Sequence, residues 1–372
     1  MRLLDRYLLR ESLIPLGYCL SGFFVFWMAF DLLSQLDDLQ SHQLTVLEVA
    51  QYYAMKTPEL LVTVLPLALL LALLYALTHH ARHNELTAMR AAGVSLWRLS
   101  APYLGVGLGF SLVVFGLNEL WVPDSAARAE DILDRALRGT TNAPSREWER
   151  NLTFRNDRDG RRWDIGAYHV ESGAMVRPHV EWRLPDGSAR ELFAERAWPT
   201  NGGWVFHQVQ KFVTPAGPDA IPQRTQTNEV RLDFWETPAL IASEIKINRL
   251  DARTASKRAA LSLAEILQYR RLHPEVPAAR RALVETQFHA RLAMPWTCLV
   301  VVLIAIPFGA ASGRRNVFVG VASSVGICFT FFVLQQVALA LGTGQYLPPW
   351  LAGWGPNLIF AGAGVWLTGR IR

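Results

Sequence analysis

The chain has 372 residues, 51% of them hydrophobic and only 19% charged, with a formal net charge of +5 and a mean hydropathy of +0.15. That balance points away from soluble metabolism and fits greasy spans averaged with a hydrophilic domain. Arg and Asp/Glu are interspersed through the hydrophilic middle, so the positive charge marks no nucleic-acid patch.

A bilayer core about 30 Å thick needs roughly 20 apolar residues in a helix to cross it. Six stretches meet that length, at approximately 12–34, 59–78, 99–121, 292–311, 317–341 and 350–369. The first follows Arg10 and Glu11 and lacks a small-x-small cleavage site before Asp31, so it reads as a retained span and not a signal peptide. Basic residues set the orientation, because short loops rich in Lys and Arg stay cytoplasmic. Arg2, Arg6 and Arg10 precede span one, and Arg82, Arg90 and Arg98 lie between spans two and three. Arg314 and Arg315 separate spans four and five, and Arg370 and Arg372 close the chain. The short loops on the other face hold Asp37, Asp38, Glu48 and Lys56, or no charge at all (342–349). Both termini are expected in the cytoplasm and the middle domain outside. Cys19, Cys298 and Cys328 all fall in spans and read as unpaired thiols.

Residues 83–99, HNELTAMRAAGVSLWRL, read as a short helix between spans two and three. Asn84 is its expected N-cap, Glu85 its first-turn acid, Gly93 its stop and Ser95 the cap of the next helix. Leu86, Met89 and Arg90 share one side. A capped cytoplasmic helix joining two spans is the shape that ABC permeases push into their ATPase subunits, a simple interfacial turn being the alternative. His79, His80 and His83 cluster nearby, more as interfacial residues than as a metal set. In span three, Gly105 and Gly109 have the spacing for close helix contact.

The outer domain begins with a helix continuing from span three, over about 122–140. Short alternating runs follow, Trp163–Val170, His179–Leu184, Arg190–Trp198 and Trp204–Val213. They are divided by ArgAspGly at 158–160, ProAspGly at 185–187 and AsnGlyGly at 201–203, the turn chemistry of hairpins. Trp163, Trp182, Trp198, Trp204, Phe206 and Phe212 would form one apolar face. A sandwich, an open barrel and a jelly roll all fit. Residues 261–289 return to helix, interrupted at Pro274 and Pro277. The expected fold is six transmembrane helices (3+3) with an antiparallel all-β domain between the third and fourth. Its parts are 1–121 with the cytoplasmic helix at 84–93, the outer domain 122–289, and 290–372.

No nucleotide, protease or hydrolase motif accompanies this layout: Gly-Lys, HExxH, GxSxG and CxxC do not occur. Asp157, Asp159 and Gly160 start like a calcium loop, but the twelfth position is Tyr168.

The segment NELTAMRAAGVS resembles the cytoplasmic signature of the LptF/LptG permeases of lipopolysaccharide export. The resemblance takes in LLDRYLLRE at the amino terminus, Pro58 and Pro66, Glu285…Arg291…Pro295, IPFG at 306–309 and LPPWLAGWGPNLIF at 347–360. The LDRY and LPP…P patterns look more like the LptG branch. The resemblance implies a transport subunit with no cofactor of its own, ATP being bound by an LptB-type cytoplasmic ATPase dimer. It implies a jelly-roll-like form for the antiparallel all-β outer domain, a homologous LptF/LptG-type partner chain, LptC/LptA-type periplasmic bridge proteins, and lipopolysaccharide as the cargo, in the inner membrane of a Gram-negative-type bacterium. By the same analogy Asn84, Glu85, Arg90 and Gly93 belong to the ATPase-coupling helix. Spans one and five would form a lateral gate, placing Phe23, Phe26, Phe30, Asp31, Phe329, Phe332 and Gln335 near the lipid. One departure stands out: the LptG branch has lysines at the outer end of span one, where this chain has Asp31, Asp37 and Asp38 with Lys56 nearby. A secondary transporter and a membrane-anchored scaffold are the alternatives. The first calls for ionisable residues deep in spans, whereas Asp31, Glu59 and Glu119 lie near span ends.

Overall fold

The structure, a computed structural model, describes residues 3–34, 45–125, 128–129, 132, 148–156, 158–200, 202–217, 221–252, 261–310 and 317–370. Asp37, Asp38, Asp157, Arg314, Arg315 and most of the helix expected at 122–140 lie outside them. The chain divides into two compact units, one of Met1–Ala136 with Ala278–Arg372 and one of Leu137–Pro277.

The first unit is helical. Its elements are α1 (Leu3–Ser34), α2 (Val46–Arg82), α3 (Glu85–Ala91) and α4 (Leu96–Gly116), the last running on through a π-helical turn, Leu117–Trp121. After the second unit come α7 (Ala278–Ala293), joined by a 3₁₀ turn to α8 (Thr297–Ala310), then α9 (Val317–Thr343) and α10 (Pro349–Arg370). Five described helical stretches are long and apolar enough to cross a membrane: Leu3–Ser34, Val46–Arg82, Leu96–Ser125, Ala278–Ala310 and Val325–Thr343. The expected sixth crossing forms α10, whose Trp, Gly, Pro and Asn residues leave it less apolar than those five.

The helix α2 is the spine of this unit. It starts with a capping box in which Thr45 and Glu48 exchange hydrogen bonds, and its middle, from Leu60 to Ala81, is largely buried. Small residues let neighbours close in. A Cβ at Gly364 of α10 would lie 2.7 Å from the Leu303 carbonyl oxygen, and one at Gly353 would lie 2.7 Å from the Ala290 nitrogen. In α4 the contact glycine is Gly107, against Val302, whereas Gly105 and Gly109 have open space around them. Within this chain the close contact with α8 is therefore made by the residue between the small-xxx-small pair.

The second unit is one seven-stranded antiparallel sheet with two helices. Its strands are β1 (Trp148–Arg155), β2 (Arg162–His169), β3 (Met175–Arg183), β4 (Ala189–Phe193), β5 (Arg196–Thr200), β6 (Gly203–Thr214) and β7 (Gln223–Leu232). β3 pairs with β2 on one side and with β4 and β5 in succession on the other, and β6 pairs with β4, β5 and β7. The hairpin glycines Gly160, Gly187 and Gly202 take φ of +66°, +84° and +96°, the left-handed values those turns require.

A crease crosses this sheet from edge to edge. Asn151, Gly166, Arg177, Gln208 and Asn228 all fall in gaps of the strand register, and the β4–β5 break at Ala194–Glu195 is in line with them. Three of these residues, Asn151, Arg177 and Gln208, hold φ near +52°. At the crease the in–out alternation slips by one place. In β6, Trp204 and Phe206 are buried, then Val209; in β2, Trp163 and Ile165 are buried, then Tyr168. This slip corrects the apolar face expected from the sequence. Trp163, Trp204 and Phe206 are fully buried together and Trp182 packs on them. Phe212, beyond the crease, turns to the other face and meets Phe193 edge-on at 5.8 Å. Trp198 likewise turns outward, 39% exposed against His207.

The core is closed by a helix that the alternating pattern did not announce, α5 (Pro238–Ala252), which contributes Leu240, Ile241 and Ile245. It is followed by α6 (Leu263–Leu272), capped by Ser262 and Glu265. Glu236, fully buried, fixes the link from β7 to α5. It accepts hydrogen bonds from Asn156 (2.6 Å), Arg161 (2.7 Å) and the Trp163 indole (3.3 Å). Its backbone carbonyl accepts one from the Trp204 indole at 2.7 Å. Every strong donor around it is matched, which is what a buried carboxylate needs.

Candidate functional site

The short helix α3 is built by its two ends. Asn84 enters it in the left-handed conformation, φ 60°, and its side chain makes no capping bond. Asn84 thus holds the expected N-cap position, its carbonyl accepting the Ala88 N–H at 2.9 Å, but without a side-chain cap: a capping side chain works from an extended backbone, and the sharp reversal after α2 denies Asn84 that geometry. At the other end Gly93 has φ +86° and its N–H bonds to the Arg90 carbonyl, while the Val94 N–H reaches Met89. These paired bonds form a Schellman stop. Ser95 then caps α4, accepting from the Arg98 N–H.

Glu85 ties this helix to two others. Its Oε2 accepts the Tyr7 hydroxyl of α1 at 2.9 Å and lies 2.7 Å from Nδ1 of the fully buried His80 of α2. About a third of the Glu85 side chain stays exposed. Burial pushes its pKa up, but the bonds from His80 and Tyr7 outweigh this and hold it below the usual carboxylate range. A second tie joins α1 to α4, Arg98 to Asp5 at 2.9 Å. Leu86 is buried and Met89 and Arg90 are half-buried, so α3 turns outward a face of small residues, Thr87, Ala88 and Ala91, flanked by Asn84 and Gly93. The His79 and His83 rings lie 4.3 Å apart, tilted by 45°, beside this site, and the His83 ring bonds to the His79 carbonyl.

The residues expected at a lateral gate lie on two helices with different sets of neighbours. α1 packs on α2 and α4, whereas α9 packs on α2, α7 and α10. On α1, Phe26 and Phe30 are 64% and 60% exposed and stacked on one another, with Phe23 half-buried. On α9, Val325, Phe329, Val333, Val337 and Leu341 form an exposed stripe at four-residue spacing, beside the half-buried Phe332 and Gln335. In a chain with membrane-crossing helices, such uncovered apolar faces meet lipid or another helix.

A family model described as "Lipopolysaccharide export system permease LptF/LptG" matches residues 6–370. The chain belongs to this family. No curated protein sequence matches it. Membership makes it an inner-membrane permease component of lipopolysaccharide export, and not an enzyme.

Asp31, the departure from the LptG pattern, is not a free carboxylate. Both its oxygens bond the Lys56 ammonium, at 2.9 and 2.7 Å, and Tyr53 donates to it at 3.2 Å. The pair is mostly covered, with side-chain exposures of 12% for Lys56 and 18% for Asp31. Asp31 thus presents little net charge to an approaching phosphate, and Lys56 is already engaged. Sequence reading placed both residues at this end of the spans but did not pair them.

Proposed function

We propose that this chain is the membrane-embedded permease subunit of an ATP-driven lipopolysaccharide exporter. In this reading α10 completes six crossings, both termini are cytoplasmic, and the sheet unit lies in the periplasm as a jelly-roll-like module. The loop arginines that support the orientation are those between the first, second and third pairs of helices. ATP is bound by a separate ATPase dimer that docks on the small-residue face of α3. Glu85 has a dual part: Oε2 holds α3 to α1 and α2, and the exposed remainder of the carboxylate meets a cation of the ATPase.

The observation that carries the proposal is this three-helix clip at Glu85 in a chain of the permease family. A push on α3 reaches α1 directly through Tyr7, and through α4 by way of the Arg98–Asp5 tie, and α1 carries the exposed Phe26 and Phe30. α1 packs on α2 and α4, and α9 on α2, α7 and α10; in this reading the lateral gate forms between chains, α1 of one facing α9 of a homologous partner. LptG fits better than LptF by the terminal patterns. Bridge proteins of the LptC/LptA type would take the lipid onward. The apolar interior of the sheet is filled by α5, so passage along it requires that helix to move.

The alternatives differ in what they need. A secondary transporter calls for ionisable residues deep inside its spans, and a scaffold has no use for the clipped helix α3. Purification of the chain with its native partners tests all three. An ATPase and a second permease chain in the complex are the expected result, and a complex without an ATPase would contradict it.

A further inference from the structure

The outer end of the sheet crease carries a second site. A cavity of about 520 Å³ opens on the face of the sheet away from the core, lined by Trp148, Arg150, Asn151, Gly166, Ala167, Val176 and Arg177. It lies where the crease crosses β1, β2 and β3, and two of its lining residues, Asn151 and Arg177, hold left-handed backbone at φ 52° and 51°. That conformation is uncommon for a side chain as large as Arg and costs on the order of 1 kcal/mol or more. Gly166 forms the floor. A Cβ there would come within 3.1 Å of the Val176 carbonyl oxygen and 3.3 Å of Arg177 Cβ and Nε. The glycine therefore lets the Arg177 side chain lie flat across β2. The Arg177 N–H is anchored to the Glu195 carbonyl at 2.8 Å. Trp148 forms one wall, held edge-on against His169 at 5.0 Å.

Among the described residues neither Arg150 nor Arg177 has a carboxylate partner. Two unpaired guanidiniums beside an indole wall, in a cavity of ligand size, combine two recognition elements. Guanidinium forks bind phosphate or carboxylate in pairs of charge-assisted bonds, and an indole face covers the apolar C–H face of a sugar ring. We propose that this crease pocket binds an anionic saccharide, a sugar carrying a phosphate or carboxylate. With the export reading, on which this identification of the ligand rests, the saccharide is the charged sugar portion of the cargo. The acyl chains would then face the apolar side of the same strands. Phosphate and carboxylate share the chemistry of the site, and the probes below separate them from a bare anion.

The test is calorimetric titration of the full-length chain in detergent, without ATPase. The probes are deacylated lipopolysaccharide oligosaccharide, the same material after removal of its phosphates, and inorganic phosphate. Saturable binding of the charged oligosaccharide is expected, weakened at least about tenfold by Arg150→Gln with Arg177→Gln and also by Trp148→Ala. Removal of phosphate should weaken binding where no sugar carboxylate remains. Inorganic phosphate should bind at least about tenfold more weakly, lacking the ring. The folded state of each variant is checked by its thermal transition, and Arg150→Lys with Arg177→Lys should recover part of the affinity if charge is what matters. Unchanged binding by the folded double Gln variant, or equal binding of inorganic phosphate, overturns the site. ATP-driven transport is measured separately. Transport without saccharide binding removes this inference alone, and saccharide binding without transport removes the export reading.

Discussion

Tyr7 and Glu85 stand 78 residues apart in sequence, yet the Tyr7 hydroxyl donates to Glu85 Oε2 at 2.9 Å. With His80 on the same oxygen and Arg98 on Asp5, the first turns of α1 are fixed to the segment that begins with α3. Of the five apolar stretches, the one least buried within its own chain is thereby tied through side chains to α3.

That connection separates two roles of Glu85. Tyr7→Phe removes one donor and leaves the carboxylate in place, so the ATPase should still associate while hydrolysis and lipid movement lose their tight ratio. Glu85→Arg removes the acceptor and reverses the charge. It should weaken ATPase association by about tenfold or more, about 1.4 kcal/mol, with the chain still inserted. Association is read by co-purification and coupling by the ratio of lipid moved to ATP hydrolysed. Normal transport by Glu85→Arg would reduce Glu85 to a helix-end residue.

The clip also has a pH signature. The pKa of Glu85 is lowered in the folded chain, the bonds from His80 and Tyr7 outweighing burial. Its contribution is therefore fully present above the unfolded carboxyl value of about 4.3 and lost as pH falls through the lower folded value. Amide exchange across 84–94 should stay slow down to about pH 4.3 and accelerate below it. In Glu85→Gln this acid step should disappear.

Asp31 and Lys56 form a mostly covered pair, so each single change strands a charge. Lys56→Ala should destabilise the helical unit by about 3 kcal/mol, the scale for breaking a desolvated pair, and Asp31→Ala by a similar amount. The exchange Asp31→Lys with Lys56→Asp should recover much of the loss, read from thermal unfolding in detergent. Full additivity of the two single changes would mean that the pair contributes nothing.

The sheet unit depends on Glu236 and the aromatics around it. Glu236→Ala leaves Asn156, Arg161 and the Trp163 indole without their acceptor, and should cost about 3 kcal/mol or more. Trp163→Ala should cost about 3–5 kcal/mol. Both losses should appear as early proteolysis within 148–252, with α2 still protected.

Local chemistry was legible in the sequence wherever it acted alone. Gly160, Gly187 and Gly202 marked hairpins because only a residue without Cβ takes their φ values easily. Gly93 and Ser95 marked helix ends for equally local reasons. The bond from Tyr7 to Glu85 joins segments with no shared pattern, so nothing in either announces it. The crease hid for another reason: Asn151, Arg177 and Gln208 are not turn glycines, yet each shifts the alternation by one place, carrying Trp198 and Phe212 to the outer face. The helix α5 was missed because PALIASEIKINRLDA mixes β-branched and polar residues without strong amphipathic spacing. It is helical because its apolar residues complete the core of the sheet.

Orientation rests on the loop arginines and is open to direct labelling. An introduced cysteine at exposed Ser172 or Thr200 should react with an impermeant reagent in intact cells, and one at exposed Ser95 should not. Labelling at Ser95 from outside would reverse the assignment.

The most direct measurement is lipid extraction by the purified complex reconstituted in liposomes, with lipopolysaccharide in the bilayer and a soluble bridge protein as acceptor. ATP should drive lipopolysaccharide onto the acceptor, and photo-crosslinkers at Phe26 and Phe329 should capture it during turnover. ATP hydrolysis with no lipopolysaccharide reaching the acceptor, and no crosslink at either position, would contradict the account.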